Sequence, residues 1–358
     1  MIAILAVLAA TMWPLNPFPP NRVRWLTEAN GIAFDGAGLV LSKEPLRSAD
    51  PTAPQSCTLE FQLRPAAIGS SYTILSFYKP DNPTQFLVKQ WTDGLLVTHD
   101  VVDAKGRLKR SKFDLDHAFQ VDRVLLVTIV SGPNGTVVYT DGHRAKILPK
   151  FKIPRSELSG QIVLGTSPID YQPWVGRFLG LAIYSRELTA AEVFEHYKSW
   201  TYGVGVDPSQ LDGATTLYYF MERAGREIHN AVASGPDLEI PKHFAVPHKA
   251  MLASPLKEFK ASWGYLKDVL LNVAGFVPLG FLLCAYFAST RNRGKAIFCT
   301  ILAAGTLSFV IEVLQAYIPR RLSGITDIIT NTLGAAIGAG FARPSVVRNI
   351  LRKAKLIT

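Results

Sequence analysis

Val269 to Ala288 runs for twenty residues without a charged side chain, and Ala296 to Ile318 follows with Glu312 as its only charge. At about 1.5 Å per residue the first run makes roughly 30 Å of helix, which matches the hydrocarbon core of a bilayer. A third segment, Ile328 to Ala342, is shorter and rich in Gly and Ala, a composition that suits close helix packing in lipid. The end of the chain is thereby constrained to helices bordering lipid, with spans expected over 268–288, 296–318 and 327–342.

The charge distribution orients these spans. The net charge is +10, yet between Ser289 and Ile311 the only charges are Arg291, Arg293 and Lys295. After Asp327 they are Arg343, Arg348, Arg352, Lys353 and Lys355. Most of the excess therefore borders apolar segments, a positive-inside pattern and not a nucleic-acid-binding face. The 291–295 turn and a basic tail over 343–358 are expected in the cytoplasm, with the region before the spans outside. Near the N-terminus, residues 2–13 are apolar, and Pro14, Pro17, Pro19 and Pro20 stop any helix. A first transmembrane helix over 1–20 is preferred to a signal peptide, because no Lys or Arg precedes the run and no Ala-x-Ala follows it. Cys57, Cys284 and Cys299 imply neither a disulfide framework nor a metal site, and no cofactor is expected.

Residues 28–245 read as extracytoplasmic and all-β. Val124–Val130 and Thr136–Thr140 flank a Pro133-Asn134-Gly135 turn. Leu59–Leu63, Tyr72–Phe77, Phe86–Val88, Leu95–Thr98 and Gln161–Leu164 have strand composition. Many short strands with turns between them fit two packed antiparallel sheets. Thr189 with Glu192 reads as the capping box of a helix from Ala190 to Tyr197. Candidate surface groups are Trp91, Asp93, His99, Asp100, Asp141 and Trp174, although the Asp-Gly pairs read as turns and Trp174 as core. No acids stand at calcium-loop spacing, so Ca2+ in the sandwich lacks a motif. Nor does a tight pair of catalytic carboxylates appear.

The spans carry their own polar pattern. Asp268, Asn272, Gly275 and then Asp327, Asn331, Gly334 repeat the same spacing, one helical stripe each. Glu312 and Gln315 share one face of the segment between them. Glu312 lies six residues before Ile318, about 9 Å below the outer end of its helix. Arg320 and Arg321 occupy the following turn. The expected cluster is thus Asp268, Asn272, Glu312, Gln315, Arg320, Arg321, Asp327 and Asn331. Ionisable groups at this depth point to function, whereas Asn272, Asn331 and Gln315 also fit as interhelical hydrogen bonders. Asp268 and Asp327 also fit as helix N-caps. All seven histidines lie outside the spans, which excludes a histidine relay among them.

Two resemblances follow. Gly31–Gly36, Cys57–Pro65, Val137–Gly142, Trp174–Tyr184 and Leu188–Glu192 resemble phrases of the concanavalin A-like, laminin-G-like sandwich family, which implies binding of glycans or proteins. Asp268–Gly280, then Glu312–Arg321 with Asp327–Gly334, resemble the two signatures of the VanZ-like membrane protein family. That resemblance covers about 80 residues within 262–345 and implies a four-helix unit, with the sandwich inserted after its first span. The family takes its name from a protein associated with teicoplanin resistance. The expected fold is mixed: an antiparallel jelly-roll, concanavalin A-like β-sandwich plus a four-helix transmembrane bundle.

The expected function is a multi-pass envelope protein binding glycan or cell-wall material such as peptidoglycan, with a link to glycopeptide tolerance. Its partners are membrane lipid and glycan, with no nucleic acid, and its oligomeric state is open. The alternative is an enzyme or carrier acting on a lipid-linked envelope precursor. Glu312 and Asp327 would then be its catalytic candidates, and Arg320 and Arg321 its phosphate holders.

Overall fold

A computed structural model of the chain describes residues 16–47, 52, 55–102, 108–203, 212–232, 235–259 and 261–342. Residues 1–15 of the expected first span and the tail over 343–358 lie outside these. The chain divides into two compact units, one of residues 18–248 and one built on the chain from Lys249 onward.

The first unit holds two antiparallel sheets. One runs β1 (Val23–Trp25), β2 (Ile32–Phe34), β13 (Gly176–Tyr184), β4 (Cys57–Pro65), β9 (Leu125–Gly132), β10 (Gly135–Thr140) and β11 (His143–Leu148), with β14 (Ala214–Tyr218) also paired to β13. The other runs β15 (Glu227–Ile228), β16 (Leu238–Glu239), β3 (Val40–Ser42), β12 (Gln161–Leu164), β5 (Ser70–Tyr78), β6 (Phe86–Thr92), β7 (Gly94–Val102) and β8 (Leu108–Leu115). The antiparallel sandwich expected from the short-strand pattern is present. Leu59, Phe61 and Leu63 of β4 enter one core with Phe77, Phe86, Val88, Val97 and Phe113 of the opposite sheet.

Of the alternating residues of β4, those before Arg64 do not reach water. Thr58 and Glu60 are fully buried, because helix α1 (Ala190–Tyr202) covers the outer face of this sheet. Val193, His196 and Trp200, one helical stripe, make the contact. The Thr189–Glu192 capping box is formed, and the helix extends past Tyr197 to Tyr202. At the turn between β9 and β10, Gly135 adopts φ 108°, and a Cβ there would stand 2.4 Å from the Leu148 carbonyl oxygen, so only glycine fits.

The second unit contains α2 (Pro255–Glu258), α3 (Trp263–Phe287), α4 (Arg293–Ala316) and α5 (Ile325–Phe341). Two of them, α3 and α4, are long and apolar enough to cross a membrane. With 17 residues, α5 is shorter. A four-helix transmembrane bundle is therefore an expectation only, since three long helices stand among the described residues of this unit.

Helices α3 and α5 meet in parallel at backbone distance. A Cβ on Gly334 would lie 2.2 Å from the Val273 carbonyl oxygen, and one on Gly338 would lie 2.0 Å from that of Val277. One on Gly280 would lie 2.1 Å from the Ala335 oxygen. Small residues four apart thus let two backbones touch, as the composition of the third segment predicts.

Two N-cap expectations are corrected. Ser262 caps α3, so Asp268 falls in its second turn. Gly324 occupies the N-cap of α5, and Asp327 sits in the first turn with no side-chain cap. Both helices begin ahead of these acids because other groups take their first amides: Ser262 accepts from the Tyr265 N–H of α3, and Glu312 and Glu258 accept from the Gly324 and Thr326 N–H groups of α5.

Candidate functional site

In the second unit the polar residues converge on the N-terminus of α5, whose first amide hydrogens have no partner within the helix. Glu312, 2% exposed one turn before the end of α4, accepts from the Gly324 N–H at 2.8 Å. Glu258, at the end of α2, accepts from the Thr326 N–H and hydroxyl at 3.1 and 2.5 Å. Asp327 accepts from the Asn272 amide of α3 at 2.8 Å. Three carboxylates therefore ring the positive end of one helix dipole, where negative charge is stabilised.

One turn deeper, the buried Asn331 donates to the Ser308 hydroxyl at 3.0 Å, while its own carbonyl oxygen has no hydrogen-bond partner. A cation marks the neighbouring helix end. Lys249 donates to the carbonyl oxygens of Gln315 and Ile318 at 2.9 and 2.5 Å, and burial holds its pKa down at about 8. The strand-like stretch after Lys249 locks on next to it, with the Ala253 N–H on the Ser323 carbonyl and the Ile325 N–H on that of Ala253.

The helical spacing brings Asn272, Glu312, Gln315, Asp327 and Asn331 to interior or half-buried positions. It does not bring in Asp268, which is exposed on α3. Arg320 is exposed and Arg321 half-buried in the turn between α4 and α5. Glu258 is the member that the spacing argument missed. Its signal was present, because it is the sole acid between Glu239 and Asp268 in a stretch carrying five lysines. Among the described residues, no group of His, Cys, Asp and Glu could hold a metal ion.

The sandwich carries a second polar patch, buried at Thr73, Ser76, Leu87 and Thr98 and open to solvent at Trp91. On its second sheet Ser76, Leu87 and Thr98 stand in register across β5, β6 and β7, on the side away from the core that Phe77, Val88 and Val97 enter. Next along the strands come Thr73 and Lys89, then Ser71 and Trp91. The hydroxyls of Ser71, Ser76 and Thr98 are buried without hydrogen-bond partners, as is one carboxylate oxygen of Asp170. Burial lowers the Lys89 pKa, opposed by the nearby Asp170 carboxylate. Trp91 is 57% exposed at the edge of this surface.

The other surface candidates fall differently. Trp174 is fully buried and donates its indole N–H to Gln90, as its core reading required. His99 is a correction, since it lies 1% exposed against Phe151 inside the core. Asp93 pairs with His117, Asp100 with Arg110, and Asp141 accepts from the Leu126 N–H and Arg123. Those three acids have structural work.

A family model described as VanZ/LLP1 matches residues 217–349. That segment is a VanZ-like domain. The match begins in β14, so the VanZ-like segment includes the last strands of the sandwich unit as well as α2 to α5. No curated protein matches the chain.

Among solved structures, a putative carbohydrate binding protein from Bacteroides ovatus is 16% identical with a TM-score of 0.40, the match covering 61% of each chain. A SAP-like pentraxin from Limulus polyphemus is 14% identical with a TM-score of 0.37, over 62% of this chain and 93% of its own. The ligand binding domain of botulinum neurotoxin serotype D, in complex with N-acetylneuraminic acid, is 14% identical with a TM-score of 0.34, over 51% and 45%. Such distant likenesses say nothing about what this chain binds.

Proposed function

We propose that the chain is a membrane protein of the cell envelope that holds glycan on the outward face of its second sheet, with the VanZ-like helices as its seat in the bilayer. The observation that carries this reading is the surface around Trp91. An exposed indole beside a half-buried Lys89 offers a sugar an apolar platform and a hydrogen-bond donor. The cations at Arg291, Arg293 and Lys295 support a topology with that turn inside and the sandwich outside. Peptidoglycan is the glycan such a location offers, and the VanZ-like segment adds glycopeptide tolerance as the phenotype to read.

Titration calorimetry of the full-length protein in detergent against peptidoglycan fragments tests the site. Trp91→Ala is expected to weaken binding at least about tenfold, the loss of roughly 1.4 kcal/mol of ring contact. Unchanged affinity in that variant would remove this face from the proposal.

The carboxylates around α5 carry the rival assignment, chemistry on a lipid-linked precursor. Their donors in this structure are a backbone N–H, a threonine and an asparagine amide, which supports seating of the helix. Glu312→Gln keeps an acceptor for Gly324 while removing the charge. In a strain lacking the gene, Glu312→Gln at normal membrane level is expected to restore envelope-stress and glycopeptide tolerance as the wild type does. Failure to do so would transfer the function to the carboxylates.

A further inference from the structure

Five large apolar side chains stand out at one end of the second unit. In the stretch leading to α3, Leu256 is 93% exposed, Phe259 66% and Trp263 79%. The turn between α4 and α5 adds Tyr317 at 59% and Leu322 at 72%. These residues share an end, because Glu258 caps α5 at Thr326 and Ala253 pairs with Gly324. Exposed apolar groups in such concentration mark an interaction surface.

The occupant follows from what adjoins the patch. It is continuous with the outward apolar faces of α3 and α4, where Leu270, Leu271, Phe309 and Leu314 are also exposed. At the opposite end, Tyr286 and Phe341 are exposed at 72% and 63%. Trp263 and Tyr286 stand 23 residues apart on one helix, about 35 Å at ~1.5 Å per residue. That separation slightly exceeds a hydrocarbon core of about 30 Å, so each ring reaches one boundary of the bilayer. Amphipathic aromatic rings concentrate at those two levels.

We propose that Leu256, Phe259 and Trp263 form an interfacial anchor seated at the boundary between lipid headgroups and acyl chains. The anchor holds Glu258 on the N-terminus of α5, since that carboxylate lies between Leu256 and Phe259 in sequence and reaches Thr326. Lipid contact at this level thus supports the carboxylate ring from outside the helices. The inference rests on the membrane reading of α3 and α4, and its test separates the two.

The full-length protein, in a Cys299→Ser background, is labelled with NBD at Leu256→Cys, Leu302→Cys or Lys109→Cys. It is then placed in phosphatidylcholine–phosphatidylglycerol nanodiscs carrying quenchers at headgroup or mid-chain depth. Leu302, 60% exposed near the middle of α4, reports the hydrocarbon, and the exposed Lys109 of β8 reports water. The label at 256 is expected to be quenched at least threefold more strongly by the headgroup-level probe, while 302 shows the opposite order. A label at 256 as unquenched as the one at 109, with 302 still quenched, overturns the anchor and assigns this patch to a protein partner. A label at 302 that also escapes quenching overturns the membrane reading itself.

Discussion

Replacing Gly334 by Leu is expected to separate α5 from α3 and to destabilise the second unit by at least about 3 kcal/mol. A Cβ at 334 falls 2.2 Å from the Val273 carbonyl oxygen and 2.9 Å from its carbon, so relief requires a backbone to move and not a side chain to rotate. The Asn331–Ser308 and Asn272–Asp327 bonds both lie within two turns on the N-terminal side of this contact, and both would be strained by the shift. The sequence supplies its own control. Gly275 holds the equivalent place in the first Asp-x-x-x-Asn-x-x-Gly copy, but a Cβ there meets nothing within 4 Å. Gly275→Leu is expected to be neutral or slightly stabilising, because leucine is the better helix former. Unfolding of the detergent-solubilised protein, followed by protease sensitivity of α5, measures both. Equal effects from the two substitutions would show that the close α3–α5 approach is wrong.

That pair of glycines also shows where sequence reading reaches its limit. Helical spacing puts Asp268, Asn272 and Gly275 on one stripe, but it cannot say which side of the stripe meets a neighbour. The structure turns Asn272 inward and leaves Asp268 and Gly275 outside. Glu312 and Asp327 were legible because acids inside apolar runs are costly and stand out. Glu258 escaped the spacing argument, since it sits on a four-residue helix with no periodicity to reveal it, and only its isolation among lysines marked it. In the sandwich, the β9–β10 hairpin and the capping box were readable because turn and cap chemistry is local. The burial of Glu60 was unreadable. Its alternating strand looks half-solvated until α1, 130 residues downstream at its start, is laid over it.

Glu60 is accordingly the residue of the sandwich whose loss should cost most outside the apolar core. Its carboxylate is fully buried, with His196 Nδ1 at 3.0 Å, the Thr128 hydroxyl donating at 3.1 Å and the Trp200 indole N–H at 3.5 Å. Glu60→Ala leaves those donors in an apolar space without water. Breaking a buried polar pair on one side typically costs about 3–5 kcal/mol, because the stranded partner retains its desolvation penalty. The loss should concentrate where the network acts, between α1 and the first sheet. Hydrogen exchange of the α1 amides is therefore expected to accelerate on the order of a hundredfold, more than exchange in β6 and β7 of the other sheet.

A double-mutant cycle separates the network from simple loss of volume. Glu60→Leu with His196→Leu removes both partners of the bond and refills the space. That double variant is expected to be at least about 1 kcal/mol more stable than the sum of the single losses implies. Strict additivity would mean that Glu60 and His196 do not recognise one another and that α1 is held by Val193 and Trp200 alone.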